Sequence, residues 1–192
     1  MNNDDSKFRS IGSAGLVIFE RDGTLLRRNN PPRDFMLGDI SNEFVQMLQQ
    51  LREMNVRFGF ISDARGMDAG SHGRSEFAAL TQLLDKLLRV RGAMPDFWMA
   101  WSGFPQTSGS PRQDRGDRRR RDGAGAIHQA IEWYGVDKKE AMFVSSTAAG
   151  LFAANVAGVT SIQYPSPSGI TDTQRLRAEI QRILGLGRRR SA

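Results

Sequence analysis

Two carboxylates follow a short apolar segment near the start of the chain. Residues 16–19 are all apolar, and the acids Glu20 and Asp22 come after them. Residues two apart in an extended segment point the same way, so both acids are expected to face one pocket. Paired carboxylates in a pocket can act as nucleophile and as general acid or base. Gly23 and Thr24 are expected to turn the chain away from the strand.

Polar residues also follow two later segments that are rich in apolar side chains. Ser62 and Asp63 follow the second such segment, and the three hydroxyl residues 145–147 follow the fourth. Open α/β sheets place their ligands at the carboxyl ends of the strands. We therefore expect these junctions to lie at the same edge of a sheet as Glu20.

Five short strands that alternate with helices are expected to position these residues. Strands are predicted over residues 15–19, 56–61, 97–101, 141–144 and 159–164. Helices are predicted over residues 41–55, 75–92, 124–134 and 148–156, with a last helix after Thr171. Ser41 and Ser75 are of the residue type that caps a helix. This alternation predicts a doubly wound α/β domain with a mainly parallel five-stranded sheet.

The length and composition indicate one domain. The chain has 192 residues, of which we assign 13–186 to the domain, 1–12 to a mobile N-terminus and 187–192 to a basic tail. It contains no cysteine, which excludes disulfides, thiolate metal sites and a cysteine nucleophile. No apolar run is long enough to span a membrane, and no signal sequence is recognisable. A cytoplasmic location is the default expectation.

The net charge of +6 comes largely from two arginine clusters. One lies in the loop 102–123 and the other in the tail at 188–190. Basic clusters can bind nucleic acid or anionic surfaces. A solvated loop and tail is the simpler interpretation, because aspartates interrupt the loop cluster and no aromatic residues lie among its arginines.

The stretch from Glu20 to Thr24 resembles the first motif of the haloacid dehalogenase (HAD) superfamily, Asp-x-Asp-Gly-Thr after a buried strand. The form Asp-Arg-Asp-Gly-Thr is typical of the branch with the heptose-bisphosphate and histidinol-phosphate phosphatases. The resemblance implies a HAD-like Rossmannoid fold, a nucleophile at position 20 and a general acid/base at Asp22. Glu20 replaces the aspartate nucleophile of the family. A solvent-facing acid at a strand end is the alternative interpretation of Glu20.

The same resemblance extends to the second and third motifs. It implies that Ser62 donates a hydrogen bond to phosphate, with Asp63 beside it. It places Arg121 where the family has a lysine that holds phosphate and nucleophile together. Residues 67–74 are too few for a large inserted cap domain.

The fourth motif departs most from the family pattern, Val-Gly-Asp-Ser-x-x-Asp. Ser146 and Gly150 stand where the aspartates that position Mg²⁺ belong. Hydroxyls are poor Mg²⁺ ligands compared with carboxylates, so we expect no metal at this site. Some members of the branch carry a Cys/His zinc loop after the third strand. Residues 101–105 contain neither Cys nor His, so no zinc is expected.

Together these motifs should bring Glu20, Asp22, Ser62, Arg121 and Ser146 into one pocket, with Gly23 and Thr24 at its wall. The leading hypothesis is a phosphatase-fold protein with a degenerate site that lacks efficient Mg²⁺-dependent phosphatase activity. It would bind a phosphorylated small molecule, or act with a protein partner as an interaction or regulatory module.

Two alternatives stay open. One is an active HAD phosphatase, a phosphate monoester hydrolase, with a rebuilt site in which Glu20 or Asp63 holds Mg²⁺. The other is binding of nucleic acid or an anionic surface by the arginine-rich loop and tail. The sequence does not decide whether the chain is an enzyme.

Overall fold

Five strands and five main helices alternate along the part of the chain that the structure describes. The computed structural model describes residues 13–26, 40–63, 71–101, 123–165 and 173–186. The strands are β1 Leu16–Glu20, β2 Arg57–Asp63, β3 Phe97–Trp101, β4 Ala141–Ser145 and β5 Thr160–Gln163. The helices are α1 Asn42–Glu53, α2 Ser71–Val90, α3 Gly123–Tyr134, α4 Ala148–Ala157 and α5 Thr173–Ile183. A short 3₁₀ helix, Lys138–Glu140, precedes β4.

The sheet is parallel throughout, with strand order β3-β2-β1-β4-β5. β1 is the central strand, with Phe19 opposite Phe60 of β2 and Val144 of β4. All five carboxyl ends therefore lie at one edge, and the end of β1 lies between those of β2 and β4. The predicted α/β class and the five-stranded sheet are confirmed.

Helices cover both faces of the sheet. One face packs against α1, α2 and α5, whose buried residues include Phe44, Leu84 and Ile180. The other packs against α3 and α4, which bring small and aliphatic residues such as Ile127 and Ala154. Packing of the helices on each face of the sheet buries apolar side chains away from water. This burial is the main favourable term in folding.

The alternation of side chains along β1 decides on which face Glu20 lies. Val17 and Phe19 belong to the core under α1, α2 and α5. Leu16 and Ile18 belong to the core under α3 and α4. Because the period of a strand is two, Glu20 continues the second row, toward the start of α4.

Ser41 and Gly158 mark helix ends where the sequence predicted them, whereas the start of α2 differs. Ser41 caps α1 by accepting a hydrogen bond from the backbone N–H of Phe44 at 3.1 Å, as predicted. Gly158 ends α4 in the left-handed conformation, with φ of 71°. The prediction that α2 begins after Ser75 was wrong, because α2 begins at Ser71. Gly73 in its first turn costs only about 1 kcal/mol, which packing of the apolar face can offset.

Several predictions fall outside the described residues. These are the N-terminus 1–12, the tail 187–192 and almost all of the arginine-rich loop. The loop ends one residue earlier than predicted, because Gly123 already belongs to α3. In the described part of the chain, none of the helices has the length and apolar character that crossing a membrane requires.

Close packing of β2 on β3 leads to a first prediction. A Cβ atom on Gly59 would lie 2.4 Å from the ring of Phe97. We expect Gly59→Ala to lower the free energy of unfolding by about 1–3 kcal/mol, as overpacking does in other cores. Urea unfolding measures this change. In a Phe97→Ala background the same substitution should cost less, and an equal cost in both backgrounds would contradict the packing.

Candidate functional site

A tight turn follows β1 and shapes the candidate site. Residues 21–25 form this turn, which Gly23 closes by donating its N–H to the carbonyl of Leu26 at 2.7 Å. Gly23 has φ of 91°, a conformation that residues with a side chain rarely adopt. The hydroxyl of Thr24 donates to the carbonyl of Glu20. The predicted turn at Gly23 and Thr24 is thus present, and both residues support the backbone of the site.

Glu20 is buried, with only 5% of its surface exposed. The interpretation as a solvent-facing acid was therefore wrong. Its carboxylate reaches the loop between β4 and α4, on the face to which β1 directs it. A carboxylate out of water must have hydrogen-bond donors around it, and this loop supplies them.

Three consecutive hydroxyl residues hold the Glu20 carboxylate. The Oγ of Ser145 lies 2.7 Å from Oε2, and the backbone N–H of Ser146 donates to the same oxygen at 3.0 Å. The Oγ1 of Thr147 lies 3.0 Å from Oε1. Thr147 also caps α4, because its Oγ1 accepts the backbone N–H of Gly150 at 3.0 Å. The carboxylate thus lies at the positive end of α4, which favours a negative charge.

Asp22 has a different partner from Glu20. Both oxygens of its carboxylate accept hydrogen bonds from the guanidinium of Arg21, each at 3.1 Å. The Arg21 side chain is buried, whereas 39% of the Asp22 side chain is exposed. Among the hydrogen bonds of the described residues, none of the donors to the Glu20 carboxylate also donates to that of Asp22. Asp22 joins the Glu20 site through its backbone carbonyl, which accepts from the Oγ of Ser146 at 3.2 Å.

The second predicted motif lies beside the first, on the neighbouring strand. Ile61 is the register partner of Glu20, and the buried Ser62 is the next residue of β2. Because side chains alternate along a strand, Ser62 lies on the same face of the sheet as Phe60. This is the opposite face from Glu20. Within the described part of the chain, Ser62 makes no hydrogen bond to Glu20 or Ser146. Asp63 ends β2, and its side chain lies outside the description, as does all of Arg121.

Comparison with known proteins places this geometry in a known fold. No protein-family model matches the sequence, and no curated protein matches it. A Mesorhizobium loti protein assigned as a HAD-like phosphatase superposes with a TM-score of 0.68 over 95% of this chain and 94% of its own, at 19% identity. The fold is that of the HAD-like phosphatases.

Two further structures share this fold. The D,D-heptose 1,7-bisphosphate phosphatase of B. bronchiseptica, solved with magnesium and phosphate, has a TM-score of 0.64 at 15% identity. The match covers 88% of this chain and 98% of that one. An uncharacterised protein of Corynebacterium glutamicum has a TM-score of 0.51 at 15% identity, with 91% and 96% covered. The superpositions establish the HAD-like fold. Because the identities are low, the chemistry must be argued from the residues of the site.

Residues at the positions that the resemblance or a rebuilt site assigns to Mg²⁺ contact one another in this structure. The resemblance assigns the aspartates that position Mg²⁺ to positions 146 and 150, and a rebuilt site would use Glu20 and the Asp22 carbonyl. The Ser146 Oγ lies 3.2 Å from the Asp22 carbonyl and 3.4 Å from Oε2 of Glu20, which are hydrogen-bond distances. Mg²⁺ prefers carboxylate oxygens as protein ligands, and a serine hydroxyl stands at position 146 in place of a carboxylate. Among the described residues, no group of three or more His, Asp or Glu side chains could hold a metal.

Sequence reasoning missed two donors, Ser145 and Thr147, and the burial of Arg21. A signal for the donors was present, because position 145 carries a serine where the HAD pattern has a glycine. Arginine is rarely buried without a partner, and the adjacent Asp22 supplies that partner here. A pairing between neighbouring residues gives no periodic signal, so the pattern of apolar residues could not reveal it.

The double role of Thr147 leads to a second prediction. Thr147→Val removes both a donor to Glu20 and the cap of α4. We expect it to lower the free energy of unfolding by about 1–3 kcal/mol, combining a lost cap with a weakened buried carboxylate site. Urea unfolding measures the loss. Thr160→Val on the exposed face of β5 is the matched control and should change stability by less than about 0.5 kcal/mol. Similar losses in both variants would contradict the role of Thr147.

Proposed function

We propose that this protein is a HAD-like phosphatase-fold protein with a degenerate site, which lacks efficient Mg²⁺-dependent phosphatase activity and works by binding. One observation carries the proposal. The carboxylate at the nucleophile position, Glu20, is buried and accepts hydrogen bonds from the protein on both of its oxygens.

A nucleophile in phosphoryl transfer must present a carboxylate oxygen in line with the bond that breaks. Freeing an oxygen of Glu20 would break hydrogen bonds to a charged group, each worth about 1.5–3 kcal/mol. Glutamate also carries its carboxylate one methylene further than aspartate. A misplacement of about 1 Å can reduce the rate roughly a hundredfold.

The other requirements of the reaction are also weakened. The leaving oxygen needs a proton donor, and the Asp22 carboxylate is occupied by the Arg21 guanidinium. Phosphate-ester hydrolysis is among the slowest uncatalysed reactions, and a metal ion contributes several kcal/mol of charge stabilisation to its catalysis. Because position 146 carries a serine hydroxyl and not a carboxylate, the site lacks this stabilisation by a metal ion.

A binding function is compatible with the same scaffold. The fold is shared with a phosphatase that was solved with phosphate. We propose a phosphorylated small molecule as ligand, at the carboxyl edge of β1 and β2, with Ser62, Asp63 and Arg121 as the binding residues. A role as an interaction or regulatory module with a protein partner is the other form of this proposal.

The proposed loss of catalysis is tested by calorimetry and a hydrolysis assay. Mg²⁺ titrated into the pure protein, with and without inorganic phosphate, should give no saturable heat. Hydrolysis of p-nitrophenyl phosphate should stay at background with and without Mg²⁺, and should be the same for Asp22→Asn. Stoichiometric Mg²⁺ binding would contradict the loss of the metal site, and a turnover that Asp22→Asn abolishes would establish an active phosphatase with a rebuilt site.

The proposed ligand class is tested by thermal unfolding with a panel of sugar phosphates. At least one should raise the midpoint in a saturable manner, while the matching unphosphorylated sugar has no effect. Arg121→Ala should weaken this response, and Arg188→Ala in the tail serves as a charge-matched control. If no phosphorylated sugar shifts the midpoint, the ligand form of the proposal is wrong and the interaction form remains.

A further inference from the structure

Ser145 and Gly150 both differ from the HAD pattern, and they lie side by side. Ser145 is the last residue of β4 and is fully buried. Gly150 lies in the first turn of α4. The HAD pattern has glycine at the first of these positions and aspartate at the second. In this chain the side chain is at 145 and the glycine is at 150, the reverse of the HAD pattern.

The Ser145 hydroxyl connects the loop backbone to the buried carboxylate. Its oxygen accepts the N–H of Thr147 at 3.0 Å. The same oxygen lies 2.7 Å from Oε2 of Glu20 and 3.1 Å from the carbonyl of Thr147. A hydroxyl has one proton, and a hydrogen bond to a carboxylate is shorter and stronger than one to a carbonyl. The proton of Ser145 is therefore donated to Glu20.

Gly150 leaves the space that this hydroxyl occupies. A Cβ atom on residue 150 would lie 2.2 Å from Ser145 Oγ and 2.9 Å from Ser145 Cβ. Gly150 has no positive φ, so its backbone does not require glycine. The requirement is one of space, and it is set chiefly by the side chain at 145, with Thr147 Oγ1 at 3.1 Å as the next nearest atom.

We propose that Ser145 is a positioning residue for the Glu20 carboxylate, and that Ser145 and Gly150 act as one unit that excludes any side chain from position 150. This inference deepens the proposed function, on which it rests, because it explains why a carboxylate ligand cannot return at 150 by a single substitution. The aspartate of the HAD pattern would meet the Ser145 hydroxyl before it could reach a cation.

A double-mutant cycle tests whether the Ser145 side chain occupies the space that a side chain at position 150 would need. In the wild-type background, Gly150→Ala should raise the unfolding equilibrium constant at least tenfold, which corresponds to about 1.4 kcal/mol. In a Ser145→Gly background the same change should raise it less than about twofold, since alanine is otherwise the better helix residue. Gly158→Ala is the control, because nothing lies near its Cβ position, and its cost should be equal in both backgrounds.

Two outcomes would contradict the claim that Ser145 fills the space beside residue 150. One is that Gly150→Ala does not change stability in the wild type, and the other is that it lowers stability equally in both backgrounds. If Gly150→Ala does not fold, folding of the double variant decides. A folded Ser145→Gly/Gly150→Ala protein supports the proposal, and an unfolded one contradicts it.

A second double-mutant cycle tests whether the Ser145 hydroxyl positions Glu20 or only orders the loop after β4. Ser145→Ala keeps the Cβ atom and removes only the hydroxyl. Its effect on the unfolding equilibrium constant should fall at least threefold in a Glu20→Gln background, because the charge-assisted hydrogen bond is already gone. A hydroxyl that served only to order the loop would cost the same in both backgrounds, and this result would reject the positioning role. Neither cycle uses metal or phosphate, so failure here is distinguishable from failure of the Mg²⁺ titration.

Discussion

The candidate site depends on one buried carboxylate that the protein itself must stabilise. Glu20 ends the central strand, where only 5% of its surface is exposed to water. A buried charge without partners would destabilise the fold by several kcal/mol. Hydroxyls and a backbone N–H at the start of α4 supply the partners. The contact also joins β1 to the loop after β4.

The architecture could be predicted because its signals are local. The strand at 97–101 was predicted with the bounds that the structure has, and Ser41 was recognised as a cap from its type and position. The start of α2 was predicted too late, because Ser75, which the sequence offers as a cap, lies inside the helix. The turn at Gly23 was predicted because glycine tolerates the backbone conformation that such a turn requires.

The site was predicted only in part, because its partners are distant in sequence. Ser145 lies 125 positions from Glu20, and no periodicity links the two residues. The resemblance to HAD phosphatases brought positions 20, 22 and 146 together, and the structure joins them by hydrogen bonds. It gave no role to Ser145, where the family has a residue without a side chain. The space at Gly150 appears only when the two segments are placed against each other.

The most direct measurement of the central claim is a crystal structure grown in high concentrations of Mg²⁺ and phosphate. Our account predicts that Glu20 keeps its hydrogen bonds to Ser145, Ser146 and Thr147, with no cation between Glu20 and the Asp22 carbonyl. An ion at about 2.1 Å from both of these oxygens would contradict the account. It would show that the hydroxyl network yields to metal and that the scaffold retains a metal site.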